Sequence, residues 1–250
     1  MSRVLSEPHL AVIVPAYNEE PRILPTLKRL QEYLSAQEYA WTVTIVSDGS
    51  IDQTDDIVHK FASGDSRFHL IGYSPNRGKG YAVRTGMLEA KAELLLFCDA
   101  DLATPIEEVE KLLEAWRQGA QVAIGSRPLR ESSLVIRQPW YREQLGRIFN
   151  KVVQLMAIKG IYDTQCGFKL FTHDASEQIF SRCKLDGFGF DFEALLIARD
   201  LGYSIIEVPI RWSHQEGSKV VLLRDGPRML RDLFWLRIRG KKARLESRAR

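Results

Sequence analysis

Asp99 and Asp101 stand one residue apart at the end of the apolar run Leu94 to Cys98. On an extended backbone residues i and i+2 project to the same side, so both carboxylates can reach one divalent cation. Held together they repel each other and call for a counter-charge. A magnesium or manganese ion bridging a diphosphate meets that need. Other candidates also follow apolar runs. Pro15-Ala-Tyr-Asn-Glu19 comes directly after Leu10 to Val14, where Pro15 is expected to stop the strand ladder. Its ring, Tyr17, and its acceptor-only carboxylate, Glu19, suit a nucleobase and its N–H donors. Asp48, after Trp41 to Val46, offers a second acceptor, and Gly125-Ser-Arg127 places a guanidinium where a phosphate or sugar hydroxyl could lie. Lys79 sits between two glycines in Asn76-Arg-Gly-Lys-Gly80, a loop with backbone freedom for close approach to an anion. Each of these segments alone also reads as a turn, a helix cap or a solvated strand end.

The elements that must position these residues alternate along the first half of the chain. Leu10 to Val14, Trp41 to Val46, Phe68 to Tyr73, Leu94 to Cys98 and Gln121 to Ser126 read as buried strands. Between them Ile23, Leu27, Leu30 and Leu34 recur at helical spacing, and helices are expected around Ile57 to Phe61, over Tyr81 to Ala92 and over Ile106 to Gln118. Strand, helix, strand with short connections implies right-handed crossovers and an α/β fold: a Rossmann-like, mostly parallel sheet with helices on both faces. Ligands of such sheets bind beyond the carboxyl ends of the strands, where the candidates fall. The glycine loop lacks the G-K-[ST] of a phosphate-binding NTPase loop, and the first strand does not lead into G-x-G-x-x-G.

Composition narrows the class. The 250 residues are 45% hydrophobic and 27% charged, which excludes disorder and small disulfide scaffolds. Three cysteines, Cys98, Cys166 and Cys183, without C-x-x-C spacing argue against a disulfide framework or structural zinc and for a reducing cytoplasm. No apolar run approaches the roughly twenty residues of a membrane span, and residues 1–8 do not read as a signal peptide. Residues 219–250 nevertheless hold eleven Lys/Arg against three Asp/Glu. A catalytic domain over 1–225 and a basic amphipathic segment over 226–250 are expected.

Taken in order, Pro15-Ala-Tyr-Asn-Glu19, Asp48-Gly-Ser50, Asn76-Arg-Gly-Lys-Gly80 and Asp99-Ala-Asp101 resemble family 2 glycosyltransferases of the GT-A fold. Asp163-Thr-Gln-Cys-Gly-Phe-Lys169 and Val208-Pro-Ile-Arg-Trp212 are similar to the polyprenyl-phosphate branch of that family, the dolichyl-phosphate glucosyl- and mannosyltransferases. Gly187-Phe-Gly-Phe-Asp-Phe-Glu193 and the stretch from Trp212 to Lys219 look closer to the glucosyl form. The resemblance spans roughly residues 10 to 220. It implies an inverting, metal-dependent transfer of a hexose, glucose from UDP-glucose, onto a polyprenyl or dolichyl phosphate. GDP-mannose as donor, or a soluble acceptor, is the enzymatic alternative. A nucleotide-sugar-binding module without turnover is the reading from another class.

Residue by residue, the resemblance implies that Pro15, Tyr17, Glu19 and Asp48 hold the nucleoside. Asp99 and Asp101 hold the metal and diphosphate, with Lys79 and the backbone of Ala100 and Ala103 beside them. Arg127, Arg211 and Lys219 neutralise phosphates of donor or acceptor. The catalytic set is Asp101, Asp163 and Arg211. Asp163 falls near the transferred sugar, as a base or as a positioning group; a phosphate acceptor is already ionised at pH 7 and needs no base. Asp191 and Glu193 are further candidates, or helix-start acids under an aromatic cluster. This chain has Ala103 where the family often has Gln, and Ser47 where many relatives have a second Asp.

Two segments bear on membranes. Tyr141, Leu145, Ile148, Phe149, Val152, Val153 and Met156 repeat at helical spacing, and Met229 to Ile238 carries Leu230, Leu233, Phe234, Trp235 and Leu236 among arginines. Either helix packs on the domain or lies in a membrane interface. The expected setting is the cytoplasm, peripheral on the cytoplasmic face of an anionic membrane, with no nucleic acid partner. RNA is the competing use of such a tail.

Overall fold

The computed structural model describes residues 9–136, 144, 151–153, 158, 160–215 and 222–248, the side chains of 134–136, 222–224 and 239–248 aside. The strands are β1 (Leu10–Ala16), β2 (Trp41–Asp48), β3 (Phe68–Tyr73), β4 (Leu94–Cys98), β5 (Val122–Ser126), β6 (Ser133–Ile136), β7 (Phe168–Thr172), β8 (Ile205–Pro209) and β9 (Arg211–Ser213). The helices are α1 (Glu20–Ser35), α2 (Thr54–Ala62), α3 (Lys79–Glu89), α4 (Val109–Arg117), α5 (His173–Phe180), α6 (Phe190–Asp200) and α7 (Leu222–Arg248).

Seven strands form one sheet in the order β3-β2-β1-β4-β7-β5-β8. The first four neighbours run parallel, as does β5 with β8, whereas β7 runs antiparallel to both β4 and β5. Buried side chains on both faces give the continuous apolar strands expected of such a sheet. One face packs Ile23, Leu27, Leu30 and Leu34 of α1 and Leu112 and Leu113 of α4 against Val12, Val14 and Leu96. The other packs Val83 and Met87 of α3, Ile179 of α5, and Phe192 and Leu195 of α6 against Ile13, Leu95 and Phe97.

Three expectations change. Pro15 does not end β1, which pairs with β2 through Pro15↔Val46 to Ala16↔Ser47. Pairing with β4 has already stopped at Ile13↔Phe97, and a strand end with one neighbour gone tolerates a proline. The helix expected over Ile106 to Gln118 opens instead as a 3-10 turn, Ile106–Glu108, before α4. The boundary expected at residue 225 falls inside α7, whose Met229, Leu233 and Leu236 are buried in the second apolar layer. Most of the helix expected over 141–156 lies outside the described residues. Among the described residues no helix is long and apolar enough to cross a membrane.

Candidate active site

At the carboxyl ends of β1, β2 and β4 lies a cavity of about 980 Å³, closed on its far side by residues 184–188 and by α7. Pro15, Tyr17, Glu19, Asp48, Lys79, Asp99, Ala100 and Asp101, all singled out from the sequence, line it together. The parallel register of β1 with β2 and β4 brings them to one edge.

The β1 end is locked by its asparagine. Asn18 adopts φ +51°, a left-handed conformation that Asn tolerates. Its Oδ1 accepts the Ile51 N–H at 2.9 Å, while its own N–H donates to Ser50 Oγ at 3.1 Å. The 50–51 turn therefore fixes where Tyr17 stands. Glu19 is buried and takes a two-pronged hydrogen bond from Arg22, Nε to Oε2 at 2.7 Å and Nη2 to Oε1 at 2.9 Å. Any base that meets Glu19 meets it as half of that ion pair.

Asp48 is spent largely on the protein itself. Its Oδ1 accepts the Arg77 N–H at 2.7 Å; its Oδ2 accepts the Gly78 N–H and Asn76 Nδ2, both at 2.8 Å. It thus shapes the 76–80 loop at the cavity wall. The two glycines of that loop serve packing. Gly78, at φ +108°, lies against the Asp186 carbonyl, and a Cβ on Gly80 would come within 2.5 Å of the Leu185 carbonyl. A side chain at either would drive the loop off residues 185–187. The loop also carries Arg77, whose guanidinium stacks 3.4 Å over the Tyr81 ring.

At the end of β4, Lys79 Nζ lies 2.5 Å from Asp99 Oδ1. Burial alone would lower the Lys79 pKa, but Asp99, Asp191 and Asp101 outweigh it and raise it. Asp101 accepts the Ala103 N–H at 3.0 Å, across a turn in which Leu102 has φ +45°. Burial, and then the Asp99 charge, push the Asp101 carboxyl above the usual range. Lys79 supplies one positive charge against two carboxylates, so part of the expected repulsion remains. Among the described residues no three His, Cys, Asp or Glu side chains converge as a self-sufficient metal site. Two hard oxygen donors facing a cavity fit a magnesium or manganese ion that completes its shell with ligand phosphates and water. Ala100 and Ala103 contribute through their backbones: the Ala100 carbonyl accepts Thr26 Oγ1 at 2.6 Å and the Ala103 carbonyl accepts the Ser213 N–H at 2.8 Å.

The remaining candidates among the described residues do not line the cavity. Asp163 is fully buried and receives Arg127 Nε at 2.6 Å, Nη2 at 2.8 Å and the Arg127 N–H at 3.0 Å. Burial pushes its carboxyl up, but the guanidinium and its hydrogen bonds prevail and hold it below the usual carboxylate range. A shielded, depressed carboxylate is a poor proton acceptor, and Asp163 reaches Arg127 rather than the cavity, where it was expected to act on acceptor or sugar as a base or a positioning group. Glu207 of β8 completes the staple, accepting the Asp163 N–H at 2.9 Å and Ser126 Oγ at 2.7 Å. Arg211, expected in the catalytic set, is exposed and held by Glu108, Nε to Oε1 at 2.5 Å, at the rim of a separate depression of about 460 Å³. Lys219 lies outside the described residues. Glu193 accepts the Lys184 N–H at 2.9 Å and the Leu185 N–H at 2.8 Å, which makes it an anchor of the 184–188 wall.

Sequence reasoning gave no role to Lys169, Asp225 or Asp232 and took Arg228 only as a basic residue of the membrane-facing segment, yet Asp225, Arg228 and Asp232 form the α7 side of the cavity. The signal for Lys169 was present: one lysine inside the otherwise apolar Phe168-Lys-Leu-Phe171. The three cysteines are free and buried; burial drives the Cys166 thiol up to about 12 and the other two upward as well, leaving them poor nucleophiles.

Paired aspartates after a buried strand, with a lysine against them, face a cavity at the carboxyl edge of an α/β sheet. Residues 11–180 match the family model described as "Glycosyl transferase family 2". The chain belongs to that family. This glycosyltransferase is 36% identical over 243 residues to the Homo sapiens dolichyl-phosphate beta-glucosyltransferase, covering 92% of this chain and 75% of that protein. It is 37% identical over 248 residues to the Saccharomyces cerevisiae dolichyl-phosphate beta-glucosyltransferase, covering 92% and 74%. Among solved structures it is similar to Mycobacterium tuberculosis glucosyl-3-phosphoglycerate synthase in complex with UDP, with a TM-score of 0.66, 17% identity and coverage of 91% and 78%. It is also similar to the Pyrobaculum calidifontis mannosyltransferase in complex with GDP-Man and Mn2+, with a TM-score of 0.55, 23% identity and coverage of 86% and 59%. At those identities the likeness is one of fold: the glycosyltransferase has the GT-A architecture its motifs implied.

Proposed function

We propose that this glycosyltransferase moves glucose from UDP-glucose onto dolichyl phosphate or a related polyprenyl phosphate, with inversion at the anomeric carbon. The observation that carries the reading is the Asp99, Asp101 and Lys79 cluster in a cavity lined by Tyr17 and Glu19, in a chain more than a third identical to dolichyl-phosphate beta-glucosyltransferases. Support for the donor also comes from structural neighbours that carry UDP-glucose and Mn2+.

In this reading Tyr17 and Glu19 take the nucleoside, and the Arg22 partner keeps the Glu19 acceptors aimed. Asp99 and Asp101 would hold magnesium or manganese, which when bound offsets the charge of the diphosphate leaving group. Lys79 faces the same charge from the protein side. A phosphate oxygen of the acceptor forms the new bond to the anomeric carbon while the bond to the UDP oxygen breaks, and UDP leaves with that electron pair. The acceptor arrives ionised, which agrees with Asp163 being committed to Arg127.

An acceptor of this class lives in a bilayer. The exposed Leu230, Phe234 and Ile238 of α7, beside Arg231 and the basic run that follows, are the surface proposed to meet an anionic leaflet. A mannosyl donor is the second reading, favoured only by the neighbour that carries GDP-Man. Incubation of the purified protein and Mn2+ with radiolabelled UDP-glucose, UDP-galactose and GDP-mannose, each with dispersed polyprenyl phosphate, tests the assignment. Label should enter lipid from UDP-glucose, and transfer from GDP-mannose alone would replace this reading with the second.

A further inference from the structure

Beneath the Asp99 cluster lies a second ion pair that the proposed chemistry does not use. Lys169 of β7 and Asp191 of α6 are 1% and 3% exposed and bonded to each other, and Lys169 Nζ also donates to the Cys166 carbonyl at 2.6 Å. Their surroundings are aromatic: the Phe97 and Phe190 rings meet edge-on at 5.7 Å, with Phe192 wholly buried in the same layer. Such a pair stabilises the fold little, because the cost of drying two charges absorbs most of their attraction, and apolar residues of the same size do as well. Its value has to lie in what it places.

Two contacts lead from it to Asp99. Both lysines flank one ring, Lys79 Nζ 5.3 Å and Lys169 Nζ 5.6 Å from the centre of Phe97, and Asp191 attracts both ammonium groups. Through Cys166, Lys169 also anchors the turn whose next residue, Gly167, accepts the Asp99 N–H at 3.1 Å. We propose that Lys169 and Asp191 are positioning residues, which never touch substrate and which hold Lys79 and Asp99 where the donor's diphosphate is received. The inference rests on the proposed nucleotide-sugar reading of the cavity. Charge on the diphosphate grows as the sugar leaves, so misplacing Lys79 and Asp99 weakens turnover more than donor binding.

The test is the double variant Lys169→Met/Asp191→Leu, which removes both charges together and leaves neither stranded. With the parent enzyme run alongside, we expect kcat for glucosyl transfer to fall about 30-fold, with KM for UDP-glucose within about threefold and the melting temperature retained. A folded double variant with parental kcat overturns the inference, as does a kcat that falls only in step with folded fraction. If the double variant does not fold, Asp191→Glu decides: it keeps the pair but moves its carboxylate by one methylene. A folded Asp191→Glu enzyme with kcat lowered at constant KM supports positioning; unchanged kcat overturns it. Absence of transfer by the parent itself would count against the donor and acceptor reading, and UDP-glucose binding in the presence of Mn2+, measured by calorimetry on parent and variants, separates that failure from this one.

Discussion

Gly167 lies directly against the carboxylate of Asp99, so closely that a Cβ at 167 would occupy the space the carboxylate fills. The carbonyl of the same glycine accepts the Asp99 N–H. A Gly167→Ala enzyme must therefore turn the Asp99 side chain away from Lys79. The expected result is a kcat loss of about 100-fold with a near-normal far-UV spectrum, since misplacement of a reacting group by about an ångström has that effect. Parental kinetics in the variant would show that Asp99 can move without cost.

Asp101→Ala removes half of the proposed cation site and should abolish transfer, and chelation should silence the parent enzyme. Restoration of activity by added Mn2+ or Mg2+ is the check on the second half of that statement. Full turnover in excess EDTA would sink it.

Asp48→Ala should do more than weaken donor binding. Three donors, the N–H groups of Arg77 and Gly78 and the Asn76 amide, lose their acceptor near the cavity wall. Unsatisfied groups of this kind cost about 1–3 kcal/mol each when they stay dry, and about 3 kcal/mol in total is expected once water reaches some of them. Urea unfolding measures it. A variant with parental stability but weak UDP-glucose binding would return Asp48 to a purely recognitive role.

Acid should find the Asp163 and Arg127 staple. The folded-state pKa of Asp163 lies below its unfolded value, so its contribution to stability is complete above about pH 4 and fades as the pH falls further. Asp163→Asn should lower stability by about 3 kcal/mol at pH 7, because Arg127 is left largely buried without its counter-ion, and should flatten the dependence on pH below 4. Parallel acid-unfolding curves for parent and variant would refute the assignment.

Phe234→Asp with Ile238→Asp places charge on two exposed positions of α7, 58% and 54% accessible, and should leave folding intact. Sedimentation with anionic liposomes should drop severalfold, while transfer to a short, detergent-dispersed acceptor persists. Unchanged liposome binding would move adhesion to another surface.

The sequence revealed the strands and their chemistry because both have local signatures. A five-residue apolar run ending in Asp-x-Asp can be read without knowing its neighbours, and so can the Ile23, Leu27, Leu30, Leu34 stripe. Pairing partners were hidden. Nothing near Phe168 announces that β7 enters the sheet backwards between β4 and β5, since that choice depends on strands far away in the chain. The same holds for individual side chains. Asp163 and Arg211 carry the right functional groups, yet only the folded chain discloses that Arg127 and Glu108 have already claimed them. Gly78 and Gly80 suggested an anion cradle, and the backbone of residues 185–187 explains them instead.

The Arg127 to Asp163 contact also closes a gate in the chain's itinerary. Between these two residues the polypeptide leaves β5 and then returns to begin β7, and the two ends of the excursion are clamped together by hydrogen bonds of 2.6 to 3.0 Å. The described part of the stretch between them is built into the domain: β6 pairs with β9, and Val153 and Ile158 are fully buried in the second apolar layer. Exchanging that stretch would therefore remove strand pairing and core packing along with it. The clamp thus makes one buried carboxylate the fastener that registers two strands far apart in the chain, β5 and β7, against each other.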